Sequence, residues 1–112
     1  MISVDKLTYG VILSSLHHAF VYPIKDIKIK VGFDTNDFKK VFESYNVHDS
    51  EIKRSDLDVI ISSVNLMSKE LNDNDFNNLI QVNKDQAFKL NSLLEAARKD
   101  EKIGLITSDL WN

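Results

Sequence analysis

Apolar residues recur along the chain at two different spacings. Val4, Leu7, Val11, Ile12, Leu16 and Phe20 follow a near-helical spacing. This predicts a helix over about residues 4–20 with Ser3 as its cap. Pro23 ends it, because proline lacks a backbone donor and disfavours a helical residue before it. The spacing then changes. Ile27, Ile29, Val31 and Phe33 alternate with Lys28, Lys30 and Gly32. Alternation predicts a short, half-buried strand over residues 27–33 with its lysines on the wet face, where they suit a sheet edge.

Beyond Gly32 the helical spacing returns. Thr35 or Asp34 caps a helix carrying Phe38, Val41, Phe42 and Tyr45. Ser55 caps one carrying Leu57, Ile60, Ile61 and Val64, and Asn72 or Asp73 caps one carrying Phe76, Leu79 and Ile80. A last helix carries Leu90, Leu93, Leu94 and Ala97, with Gly104 as its stop. The remaining stretch keeps Ile106, Leu110 and Trp111, too apolar for a disordered end, so it is expected to dock. The expected fold is mainly α, a single compact helical domain with a short β element at residues 27–33. It divides into an N-terminal helix and strand (1–34), a helix-loop-helix pair (35–98) and a docked tail (99–112). A chain of 112 residues has room for one core. That core is expected to include Leu16, Phe38, Phe42, Leu57, Ile61, Phe76, Ile80 and Leu94.

The helix-loop-helix pair contains an internal repeat. Asn36-Asp37-Phe38 returns as Asn74-Asp75-Phe76, each followed by a second apolar anchor, Phe42 or Ile80. Then come a polar loop, an isolated apolar residue (Ile52 or Phe88), a capping residue (Ser55 or Asn91) and a new helix at Leu57 or Leu93. Over residues 35–98 this plan resembles a degenerate pair of EF-hands of the calmodulin and myosin light chain type. The resemblance implies that residues 51–53 and 87–89 are the short strands by which paired hands bond to each other. The calcium chemistry is missing from both loops. Setting Ile52 at the apolar position of a calcium loop leaves Asp49 and Asp56 as carboxylates at side-chain ligand positions. Setting Phe88 there leaves Asp85 alone, with Ser92 where the bidentate glutamate belongs. No cofactor or metal is expected.

Composition narrows the function. The net charge is −3, and a broad phosphate-binding surface needs a dense Lys/Arg patch, so neither nucleic acid nor a membrane surface is an expected partner. There is no cysteine, hence no disulfide, thiolate site or cysteine nucleophile. Residues 1–20 do not read as a signal peptide, and no apolar run is long enough to span a bilayer. A cytoplasmic location is the expectation. His17 and His18 are adjacent, so on a helix their rings diverge and do not share a metal. The three glycines are far apart and form no phosphate-cradling loop, and no serine lies in a nucleophile elbow. Enzyme activity is not expected.

Binding to another protein remains, in two forms. The EF-hand resemblance implies a calcium-independent adaptor that grips an amphipathic helix in an apolar groove, with Phe42, Ile61, Val64, Leu79, Val82 and Leu94 as candidate lining. The alternative is a bacterial immunity protein that neutralises a cognate toxin, such as a contact-dependent growth inhibition nuclease, through an acidic face. Asp49, Glu51, Asp56 and Asp58 are the candidate contacts for that reading.

Overall fold

The computed structural model describes residues 1–106. The chain opens on a strand, β1 (Ile2–Val4), which buries Ile2 and Val4 and exposes Ser3. Ser3 is therefore not a helix cap. Asp5 takes that role, its carboxylate accepting the Thr8 N–H, and α1 runs Lys6–Val21. Tyr22 follows in an extended conformation just before Pro23, as the proline requires.

The strand expected at residues 27–33 is a short helix, α2 (Ile27–Val31). Its flanking residues are left-handed, Asp26 at φ 56° and Gly32 at φ 80°. Gly32 adopts that geometry without a Cβ clash, and its N–H closes the turn on the Lys28 carbonyl. The alternating isoleucines do not share a face: Ile27 is buried, whereas Ile29 is 86% exposed. So short an alternation does not fix a period, and the flanking turns prevailed. Lys30 leaves the expected lysine ridge to pair with Glu70 at 2.6 Å.

Three of the four later helices start where a side chain satisfies a free N–H. α3 (Thr35–Glu43) begins at a reciprocal box in which Asp34 accepts from the Asp37 N–H and Asp37 accepts from the Asp34 N–H. A brief strand, β2 (Glu51–Ile52), leads into a 3-10 turn at Arg54–Asp56 and then α4 (Leu57–Glu70). Ser55, the expected cap, is an exposed residue inside that turn. Asn72 caps α5 (Asp73–Ile80) through the Asp75 N–H. Asn83 and Gln86 form a second reciprocal box that opens α6 (Lys84–Lys99).

This early start changes the second repeat. Residues 81–83 alone separate α5 from α6, so there is no long polar loop. Ala87, Phe88 and Lys89 are helical, and Asn91 lies inside α6 rather than at its start. The strand pair implied between residues 51–53 and 87–89 is not formed. β2 instead pairs antiparallel with β1, setting Ile2 opposite Ile52. A third strand, β3 (Leu105–Ile106), pairs parallel with the other edge of β1, giving the order β2-β1-β3.

α1 is the central element, packed on α3 and α4, and α4 packs in turn on α6. Leu16, Phe38, Leu57, Ile61, Phe76, Ile80 and Leu94 are buried as expected. Phe42 is the exception: it is only partly buried and rests on the core edge beside His17 and Phe20. The radius of gyration is 12.9 Å, close to the ~13 Å expected of a compact chain of this size. The described residues thus form one mainly helical domain with a small sheet. Of the docking tail, Ile106 is buried in β3, while Leu110 and Trp111 lie outside the described residues. No helix of the described residues is long and apolar enough to cross a membrane.

Candidate protein-binding site

The six apolar residues proposed to line a groove do not form one. Ile61, Val64, Val82 and Leu94 belong to the closed core. Phe42 and Leu79 are partly buried against it. Ile61, Val64 and Leu94 lie on the inward faces of their helices and Val82 in the turn between α5 and α6, where the packed core covers them.

The four candidate carboxylates divide into two pairs. Asp56 accepts a hydrogen bond from the Tyr45 hydroxyl at 2.6 Å. Asp58 meets the Arg98 guanidinium at 2.7 Å, and Arg98 also reaches Glu95. Those contacts, first the hydrogen bond that Arg98 donates to Asp58 and then the charge of Glu95, raise the Arg98 pKa. Asp49 and Glu51 are different. Both are exposed, and neither forms an ion pair among the described residues. Two adjoining hollows meet at this loop. One, of about 420 Å³, is bounded by Met1, Tyr45, His48, Asp49, Glu51 and Lys53. The other, of about 370 Å³, lies over α1 between Lys6, Tyr9, Leu13, Val47, His48 and Asp49.

The loop that carries these groups is tied down from several sides. The Tyr9 hydroxyl of α1 donates to the Asn46 carbonyl at 2.7 Å, and the Asp49 N–H donates to the same carbonyl at 3.0 Å. The Asn46 side chain accepts the His48 N–H at 2.9 Å. The Val4 N–H of β1 reaches the Ser50 carbonyl at 2.8 Å. Tyr45 receives the Lys53 N–H at 2.9 Å while donating to Asp56, and its ring meets Tyr9 edge-on with centroids 6.2 Å apart. The sequence offered no sign of this tyrosine pair, because its bonds join residues far apart in the chain.

The same contacts perturb the tyrosines. Burial, followed by the bond donated to Asp56, holds the Tyr45 pKa well above its usual value, while the Lys53 N–H pulls it down. Burial, with the nearby Asp49 charge adding to it, also raises Tyr9. Unfolded tyrosine ionises near pH ~10. Native Tyr45 keeps its proton through that range, so its contribution is complete below about pH 10 and is lost as the pH rises toward the native pKa. Tyr45→Phe should therefore lose less stability than the parent between about pH 8 and about pH 11, read from melting temperatures. Equal losses in the two chains would mean that this hydroxyl is not held protonated by the fold.

His17 and His18 serve packing. His18 Nδ1 lies 2.9 Å from the Ser14 carbonyl, and the His17 ring is enclosed by Phe20 and Phe42. Met67 is fully buried. Among the described residues, no three His, Asp or Glu side chains converge in a way that could hold a metal ion. The chain matches no known family model, none of the curated proteins and none of the solved structures it was compared with.

Proposed function

We propose that the chain is a non-catalytic protein ligand that docks on a basic partner through residues 46–51, as a cytoplasmic immunity protein docks on its toxin. The observation that supports this reading is the contrast among the four carboxylates. Asp56 and Asp58 are committed within the fold, whereas Asp49 and Glu51 are exposed and unpaired on a loop held by α1 and β1. A loop fixed before binding loses little freedom on association. Unpaired charge at its tip steers an oppositely charged partner and speeds encounter. Lys6 and Lys53 line the same hollows, so the face carries both signs and selects register as well as charge. Val47, 70% exposed, adds an apolar contact beside the carboxylates. The burial of Ile61, Val64, Val82 and Leu94 favours this reading over an EF-like adaptor with an open groove.

The experiment is a capture from native cells with the parent chain and with the Asp49→Lys/Glu51→Lys double variant. Both positions are exposed, so the variant should fold. The expected result is a basic protein retained by the parent and lost from the variant. Equal retention of the same protein by both chains would remove the loop from the interface.

A further inference from the structure

The outward side of α1 is unlike that of α3 and α6. α3 exposes Lys39, Lys40 and Glu43, and α6 exposes Asp85, Lys89, Arg98 and Lys99, as a surface helix normally does. α1 carries one charged side chain, Lys6, in 16 residues. The stripe it turns outward consists of Leu7, Gly10, Ser14, His18 and Val21. Leu7 is 49% exposed and Val21 50%. Gly10 is exposed, and Ser14 and His18 are half-buried. Successive members stand three, four, four and three residues apart, the spacing that keeps residues on one face of a helix.

That spacing reads the same in both directions from Ser14. Two copies of α1 laid antiparallel across a two-fold axis at Ser14 therefore match each other. Leu7 of each copy meets Val21 of the other, Gly10 meets His18, and the two Ser14 residues meet on the axis. The sizes agree. Gly10 has nothing within 4 Å of the place a Cβ would occupy, so its own fold does not require glycine there, and glycine disfavours a helix interior relative to alanine. In the antiparallel pair it leaves room for the imidazole of His18. The charges agree as well. The stripe holds no Lys, Arg, Asp or Glu to repel its copy. Antiparallel packing sets each Lys6 at the C-terminal end of the other α1, the negative end of the helix dipole, whereas parallel packing would set the two lysines side by side.

We propose that this stripe is a self-association surface, on which a second copy of the chain packs antiparallel along α1. Gly10 and Ser14 share a hollow with Val47, His48 and Asp49, so the stripe lies beside the loop of residues 46–51. It uses none of those residues, and the pairing does not rest on the partner proposed for them. A helix of 16 residues is about 24 Å long. One pair of such helices buries less than a permanent dimer requires. The association is therefore reversible, with a dissociation constant of roughly 0.1 mM.

The test is sedimentation velocity of the full chain from roughly micromolar to roughly millimolar concentration. The parent should move from the mass of one chain toward the mass of two. Leu7→Lys and Val21→Glu each set a charge against an apolar side chain at both ends of the pair, and each should weaken association at least several-fold. Both positions are half exposed, so the melting temperatures of the dilute variants should match the parent's. Mixed in equal amounts, the two variants should associate again to nearly the parent's extent. The mixed pair sets the introduced lysine against the introduced glutamate at one end and keeps Leu7 against Val21 at the other. A parent that stays monomeric throughout would overturn the proposal and leave the stripe to a different protein. Association unchanged in both variants would place the contact on another face and overturn it too. A mixture that fails to associate would overturn the antiparallel register about Ser14.

Discussion

Replacing Phe38 with alanine should destabilise the protein by about 3–5 kcal/mol, the usual range for emptying a buried phenylalanine site. The side chain is fully buried, and its ring lies 6.2 Å from that of Phe33. It projects from α3, a short helix whose start is fixed by the Asp34–Asp37 box, so the backbone cannot easily collapse into the space left behind. A loss of that size is a large part of the ~5–15 kcal/mol that holds a domain together. Phe42, one turn later, provides the control. It is only partly buried, with its ring 5.2 Å from His17 and 5.6 Å from Phe20. Phe42→Ala should cost about half as much or less, in line with its smaller loss of buried area. Urea unfolding of the two variants separates them. Equal losses would mean that the two rings do not differ in burial as described.

Arg54→Ala should cost about 2–4 kcal/mol, although the residue lies in neither a helix core nor a binding site. Its guanidinium donates to the carbonyls of Ala97, Asp100, Glu101 and Ile103. Those oxygens belong to the end of α6 and the turn that leads to β3, where a helix leaves carbonyls without partners. One side chain thus joins the turn after β2 to the C-terminal end of α6 and to the segment that delivers β3 to β1. Hydrogen bonds from a charged donor contribute about 1.5–3 kcal/mol each, but two of these four are exposed to water and the other two only partly buried, so the total lies well below their sum. Arg54→Lys should recover only part of the loss, because a single ammonium cannot span four carbonyls as a planar fork can. Chemical denaturation of both variants measures this. A loss below about 0.5 kcal/mol for Arg54→Ala, the level of an ordinary surface change, would show that the four bonds do not act as a clamp.

The parts of the fold legible in the sequence were those set by long helical spacing. Of the eight core residues expected from the apolar stripes of α1, α3, α4, α5 and α6, seven are buried. The errors arose where local chemistry outweighed the pattern. Asp5, Asn83 and Gln86 mark helix starts by caps that periodicity does not register. The stretch around Ile29 looked like a strand because a short alternation resembles either structure, and Gly32 and Asp26 decided it. Ile2, Ile52 and Ile106 form the small sheet from three distant segments, each too short to show a period. The candidate site was half legible. Exposed acids around residues 49–58 were visible as composition. Their division into committed Asp56 and Asp58 and uncommitted Asp49 and Glu51 depends on Tyr45 and Arg98, and no spacing rule connects those residues.

That division is also where the functional account is most exposed to test. Once a partner is in hand, the deciding measurement is its association rate with the parent, Asp49→Ala, Glu51→Ala and Asp58→Ala chains, at low salt and at a salt concentration where screening acts beyond about 8–10 Å. The account predicts slower association for Asp49→Ala and Glu51→Ala at low salt, a difference that shrinks at high salt, and a rate near the parent's for Asp58→Ala, whose charge is engaged by Arg98. Identical rates and salt dependence in all four chains would contradict it and remove residues 46–51 from the contact.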